Sequence, residues 1–262
     1  MSRQFSRDFG TEVQRGNIGG FSAVNKFGRN TEVDSGVSAD VWDGGNTGDV
    51  SILWVAPTAA RTHTIASTDA NDTGGGSGAR TLRVFGLTAW NANEVNEDVT
   101  MDTGSPPVTS NSYVIIHRMR VLTKGASGPN VGTITATATT DGTITAQIGP
   151  GEGQTQMAVY GIPSTQTAYM KRYYASLNRA SGGASTGYLD TLLCFNPEPD
   201  AELLGFLIKQ TDGLVLNGSS RFEQNYAIPK TFAGPGILKV QAASNTNNMD
   251  ISAGFDLYLV DN

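Results

Sequence analysis

The sequence predicts an all-β protein: an antiparallel β-sandwich, jelly-roll-like, preceded by an extended N-terminal arm. Three observations carry this. Segments of strand length with period-two apolar alternation follow one another in quick succession. Clusters of Gly, Ser, Asn and Pro separate them, as in residues 70–78 (ANDTGGGSG), 103–107 (TGSPP) and 125–130 (GASGPN). No long apolar pattern at helical spacing occurs; residues 200–210 (DAELLGFLIKQ) come nearest, and Gly205 with the β-friendly FLI argues against a helix there.

Residues 1–49 differ from the rest. They hold few apolar residues, many glycines and scattered Arg3, Arg7, Arg15, Lys26 and Arg29, so they cannot form a core alone. Five aromatics, Phe5, Phe9, Phe21, Phe27 and Trp42, argue against a purely solvated tail. They predict an arm that orders against a neighbouring subunit, with these five as its contact residues. Strands are then expected over 50–55, 62–67, 80–87, 94–101 and 113–122. In the last, Val114, Ile116, Arg118 and Arg120 share one face, and Ile115, His117, Met119 and Val121 the other.

Residues 131–148 (VGTITATATTDGTITAQI) give the clearest local signal. Apolar residues alternate with threonine on both sides of Asp141-Gly142, which marks a hairpin. A two-residue loop would set Ala138 opposite Thr145 and mix the faces. A three-residue loop, 140–142, pairs Ala138 with Ile144, Ala136 with Ala146 and Ile134 with Ile148. The register therefore predicts a type I turn with Gly142 in the left-handed region, forming a G1 bulge. Residues 149–154 (GPGEGQ) suggest a boundary, dividing the sandwich into 50–150 and 151–262, or leaving one continuous jelly roll over 50–262. Beyond it, strands are expected over 155–162, 168–178, 188–195, 202–210, 221–228, 236–242 and 251–260.

Composition bounds the function. Charged residues make up 16% of the chain, against about 25% in ordinary domains, and glycine supplies 32 of 262 residues. Such surfaces are common in extracellular and virion β proteins. A net charge of −6 disfavours nonspecific nucleic-acid binding. Cys194 is the single cysteine, so no intrachain disulfide can form; in LLCFN it reads as a small buried hydrophobe. The start, MSRQFSRDFG, lacks the apolar region of a signal peptide, and no run approaches the ~18 apolar residues of a membrane helix. The expectation is a protein made in a host cytoplasm, with no membrane partner.

No catalytic residue, metal ligand or cofactor emerges. Residues 183–187 match G-x-S-x-G, but they sit in a Gly/Ser-rich loop with no following helix, which the nucleophile elbow needs. His63 and His117 each fall in a predicted strand without a second ligand at metal spacing, and read as hydrogen-bonded or exposed strand residues. Asp69, Asn71 and Asp72 before Gly74–Gly76 read as an Asx-rich turn, since their spacing does not fit an EF-hand. Asp34, Asp40, Asp43 and Asp49 read likewise. Trp54, Trp90, Tyr173, Tyr174 and Tyr188 read as core or subunit-interface residues, with a sugar platform as the alternative.

The succession TDANDTGGGSGARTLRVFGL, EVNEDVTMD, NSYVIIHRMRVL, GTITATATTDGTITAQI and GQTQMAVYGIPSTQTAYMKRYYASLNR, over residues 42–179, resembles structural proteins of tailed bacteriophages of marine or environmental type. That resemblance implies a non-enzymatic virion protein, chiefly a capsid decoration or cement protein. Its partners would be copies of itself, as a trimer, and major capsid or neck and tail proteins. The alternatives are a neck or tail component, or a tail or head-fibre adhesin that binds a host glycan.

Overall fold

The computed structural model describes residues 8–44, 53–179, 186–200, 205–216 and 221–262. The protein is all-β, with 57% of the chain in strands and 3% in helix. In chain order, a short helix α1 (Phe9–Gln14) precedes β1 (Phe21–Val33), β2 (Ser38–Asp40), β3 (His63–Ser67), β4 (Ala79–Leu87), β5 (Val95–Thr100), β6 (Ile115–Lys124), β7 (Ile134–Ala138) and β8 (Ile144–Ile148). Then come β9 (Val159–Ile162), β10 (Gln166–Arg179), β11 (Tyr188–Asn196), β12 (Leu207–Val215), β13 (Arg221–Ala233), β14 (Gly236–Ser244) and β15 (Met249–Asp261). No helix among the described residues is long and apolar enough to cross a membrane.

The strands form four antiparallel sheets around two apolar cores. The first sandwich packs the sheet β1-β15-β10-β13 against β12-β11-β14-β2, with β9 added to β14. β15 is its central strand: Met249, Ile251, Ala253, Phe255, Leu257 and Leu259 all point inward and are buried. Each large member contributes about 1.5–3 kcal/mol by leaving water. The second sandwich packs β3-β7-β8 against β5-β4-β6, closing on Leu82, Val84, Ile115, Met119, Ile134 and Ile148. β9 serves both, with Tyr160 and Ile162 in the first core and Val159 in the second.

The expected arm is different in the structure. Residues 21–44 belong to the body: β1 pairs with β15 from Phe21 to Val33, and β2 pairs with β14. Period-two alternation is present in β1, but Lys26, Gly28 and Asn30 occupy its inward positions, so the pattern does not register as apolar. Gly28 shows why this strand tolerates small residues. A Cβ there would lie 2.1 Å from the Val41 carbonyl oxygen and 2.4 Å from the Ala158 nitrogen. α1 also escapes the sequence reading because it is only six residues long, capped by Asp8, whose carboxylate accepts from the Thr11 N–H at 2.9 Å.

The strand expected over 50–55 does not form in its described part. Residues 53–55 are not in a strand, and 50–52 lie outside the described residues. In β6 the expected alternation breaks: Phe85 pairs with Arg118 and Gly86 with Ile116, leaving His117 as a bulge. Ile116 and His117 are therefore both buried.

The hairpin keeps Ile134 opposite Ile148 and Ala136 opposite Ala146, and Gly142 has φ 70. The loop is one residue longer than expected. The Ala138 N–H donates to the Thr143 oxygen at 2.8 Å and the Gly142 N–H to the Ala138 oxygen at 2.9 Å, enclosing residues 139–142. The register shift moves into β8, where Thr145 is the extra residue and is buried. Its carbonyl holds the Trp54 indole N–H at 2.9 Å, a long-range contact that periodicity cannot register.

Candidate functional site

A groove runs between α1, β1 and the strands on either side of them. One part is an open cavity of about 520 Å³ that includes Gln14, Asn25, Lys171, Asp256 and Tyr258. The other, of about 240 Å³, reaches inward to Lys26, Phe85, Glu94, His117, Arg118 and Tyr160. The two share Gln14, Ala23, Val24 and Asn25. Two bulges shape the walls. His117 bulges from β6, and Lys171 is the unpaired residue where β10 slips against β15 between Met170 and Arg172.

The inner cavity gathers ionisable groups in an interior position. His117 is 2% exposed, and its Nε2 lies 2.6 Å from Glu94 Oε2. Its ring stacks at a tilt on Tyr160, with centroids 4.5 Å apart. Its Nδ1 is buried without a hydrogen-bond partner. Lys26, 3% exposed, donates to the His117 carbonyl oxygen; an ammonium has three N–H groups, so one bond leaves two of them over. Arg118 donates to the Asn25 carbonyl at 3.0 Å.

Burial drives the electrostatics. Desolvation, with the Arg118 charge added, lowers the Lys26 ammonium from 10.5 to about 7. Desolvation likewise lowers His117, keeping its imidazole neutral, and raises the Tyr160 phenol well above its ordinary value. Burial opposes the ionisation of Glu94, but the interactions with His117, Lys26 and Arg118 outweigh it and bring the carboxyl below its ordinary value. The neutral imidazole therefore directs Nε2–H to the Glu94 carboxylate and leaves Nδ1 as a bare acceptor.

A shallow apolar surface flanks the same helix. Phe9, 47% exposed, meets Phe21 and Tyr258 edge to face, each at 5.5 Å. Tyr169 and Val260 extend this patch into an open hollow of about 400 Å³. Thus two of the five expected contact residues, Phe9 and Phe21, come together. Phe27 is half-buried farther along β1. Trp42 is buried in the second core and presents no contact surface. Phe5 lies outside the described residues.

The remaining candidates divide clearly. Asp72 is a structural anchor: its carboxylate accepts from Ser67 Oγ and from the N–H groups of Ala79, Val131 and Gly132 at 2.7–2.9 Å. Asp40 is buried and paired with Lys239 at 2.8 Å. His63 is buried; its backbone N–H donates to Thr109 Oγ1 at 2.8 Å, but both ring nitrogens are buried without partners, and burial lowers its imidazole to about 4. Cys194 is buried. Residues 183–185 of the G-x-S-x-G match, and Asp49, lie outside the described residues. No cluster of three or more His, Cys, Asp or Glu side chains that could hold a metal ion occurs among the described residues.

Sequence reasoning missed Lys26, Glu94 and Tyr160. The usable signal was Lys26 itself, a charge on the inward face of an alternating segment, which only registers once residues 21–33 are read as a strand. Compared with models of known protein families and with curated proteins, the chain matches none.

Proposed function

We propose that this is a non-enzymatic structural protein of a tailed-phage virion, a decoration or cement protein that works through repeated contacts between copies of itself and with the capsid or neck. The observation that carries the assembly part is the exposed edge formed by β12 and β13. Among the described residues, each has a strand neighbour on one side only. Leu207, Ile208 and Ile228 are exposed there, Ile228 by 87%. A lone protein is served poorly by open edges of this kind, whereas they suit a chain that joins copies of itself. Many such contacts on a symmetric lattice combine into firm attachment without one tight site. The virion location rests on the sequence resemblance.

The test is the oligomeric state. Sedimentation velocity on the full chain should give a closed oligomer at micromolar concentration. Ile208→Asp with Ile228→Asp should yield folded monomers. A wild-type chain that remains monomeric at about 100 μM overturns the reading. Deleting residues 1–45 is not a clean test of attachment, because it removes β1 and β2 from the body. Phe9→Ser leaves the sheets intact and tests the apolar patch directly.

A second reading, a tail or head-fibre adhesin that binds a host glycan, is favoured by the groove beside α1. Its aromatic rings and amide and charged side chains are the groups that sugar recognition uses.

A further inference from the structure

We propose that the inner cavity binds the carboxylate and an adjacent hydroxyl of an acidic sugar, a uronic-acid unit, with the rest of the glycan lying along the outer groove. This deepens the adhesin reading by naming the sugar class, and it is independent of how the chain oligomerises.

The argument starts from what the cavity lacks. Arg118 and the protonated fraction of Lys26, whose ammonium burial lowers to about 7, face one carboxylate, Glu94, among the residues that line it; an anion bound there would hold Lys26 in its charged form. An anion completes that balance, and it relieves the repulsion between Arg118 and Lys26. Lys26 makes one side-chain hydrogen bond, to the His117 carbonyl oxygen, and has N–H groups to spare. Those donors suit a carboxylate oxygen.

His117 adds the second requirement. Its Nε2 is committed to Glu94, and its Nδ1, buried and without a partner, is an acceptor. An acceptor needs a donor, and a carboxylate has none. A hydroxyl on the same ligand provides one. The two demands together select a hydroxylated carboxylate over a bare anion or a neutral sugar.

The surroundings fit the same class. Phe85 gives the cavity an aromatic wall. The outer groove continues past Gln14, Asn25, Asp256 and Tyr258, side chains that exchange hydrogen bonds with sugar hydroxyls. A buried, incompletely satisfied polar cluster is costly to a fold. The fold retains one here, at the end of a groove, with a bulge directing His117 into it.

The experiment titrates the full chain by calorimetry with three probes: D-glucuronate, D-glucose and acetate. Glucuronate is expected to bind with Kd on the order of 1 mM, and glucose and acetate at least about tenfold more weakly. Arg118→Gln, at a half-exposed position, should weaken glucuronate about tenfold with the fold unchanged by circular dichroism. His117→Asn should reduce the preference for glucuronate over acetate. Equal binding of glucuronate and acetate overturns the sugar part of the inference. Equal binding of glucuronate and glucose, unaffected by Arg118→Gln, overturns the acidic class and leaves the adhesin reading standing. Should none of the three bind while a host-polysaccharide array gives hits, the cavity assignment alone falls. With no array hits either, both fall.

Discussion

Asp72 and His117 are both buried polar residues in the second sandwich, and they are satisfied to opposite degrees. Each oxygen of Asp72 accepts two hydrogen bonds, from Ala79 and Val131 on one side and from Ser67 and Gly132 on the other. Around His117, by contrast, Nδ1 has no partner and Lys26 is bonded only to a carbonyl. A completed network holds three chain segments in register and has nothing left to offer a ligand. An incomplete one contributes less to stability and keeps its capacity for something else. The difference separates a structural anchor from a candidate binding site where residue type alone does not.

The largest expected effect is at the anchor. Asp72→Ala leaves three backbone N–H groups without acceptors and should cost about 3–5 kcal/mol in denaturant unfolding. A loss under about 1 kcal/mol would show that water replaces the carboxylate, and the contrast with His117 would weaken. Asp72 also has a sign in pH. Burial alone would raise its carboxyl, but the four donors win and hold it below its ordinary value. Its contribution is present above the unfolded carboxylate range and is lost as pH falls through the lower folded value.

Lys26 should behave in the opposite sense. Its folded value, about 7, lies below the unfolded 10.5. Between them the unfolded chain holds the extra proton, so stability rises as pH climbs from 7 to 10.5. The increment is about 5 kcal/mol before screening by neighbouring charges, and smaller after it. Lys26→Met should flatten this rise, read from denaturant midpoints across the window. An identical slope in both proteins would mean that Lys26 is solvated, and the cavity would lose its cationic floor.

Asp43 is the intermediate case. Its Oδ2 accepts from the Gln156 N–H at 3.1 Å, but its Oδ1 and the Oε2 of neighbouring Glu152 are buried without partners. Burial first, then the Glu152 carboxylate, raises Asp43 from 3.8 to about 8. Stability from this group is present at low pH and is lost as pH rises from 3.8 through about 8. Asp43→Asn should remove that decline. Because Lys26 acts in the reverse direction above pH 7, the two single variants separate the contributions.

The fold was legible where one face is wet and the other dry. The hairpin at 134–148, the strand ending at Asp261 and the turn around Asp72 are all written in period-two alternation or Asx and Gly clusters. β1 was hidden because its inward positions hold Lys26, Gly28 and Asn30, which no apolar count detects. The site was hidden for the same reason, and for one more. Lys26, Glu94, His117 and Tyr160 come from four distant parts of the chain, and the bulge that buries His117 depends on how β6 meets β4. Long-range register of that kind is a property of packing and leaves no local signature.

The smallest effect on stability should fall at Arg118, and it sharpens the comparison most. Its guanidinium bonds a carbonyl at a half-exposed position, so Arg118→Gln should change stability by no more than about 0.5 kcal/mol. Yet its charge adds to burial in lowering the Lys26 ammonium. Removing it should move the midpoint of the Lys26 titration upward from about 7 while burial keeps it below 10.5. Nitrogen-detected NMR of the lysine side chains would follow the change directly. An unmoved midpoint would separate the two cations and leave Lys26 shaped by burial alone. An upward shift with stability intact would establish that the incomplete cluster carries electrostatic tension that the satisfied Asp72 network does not.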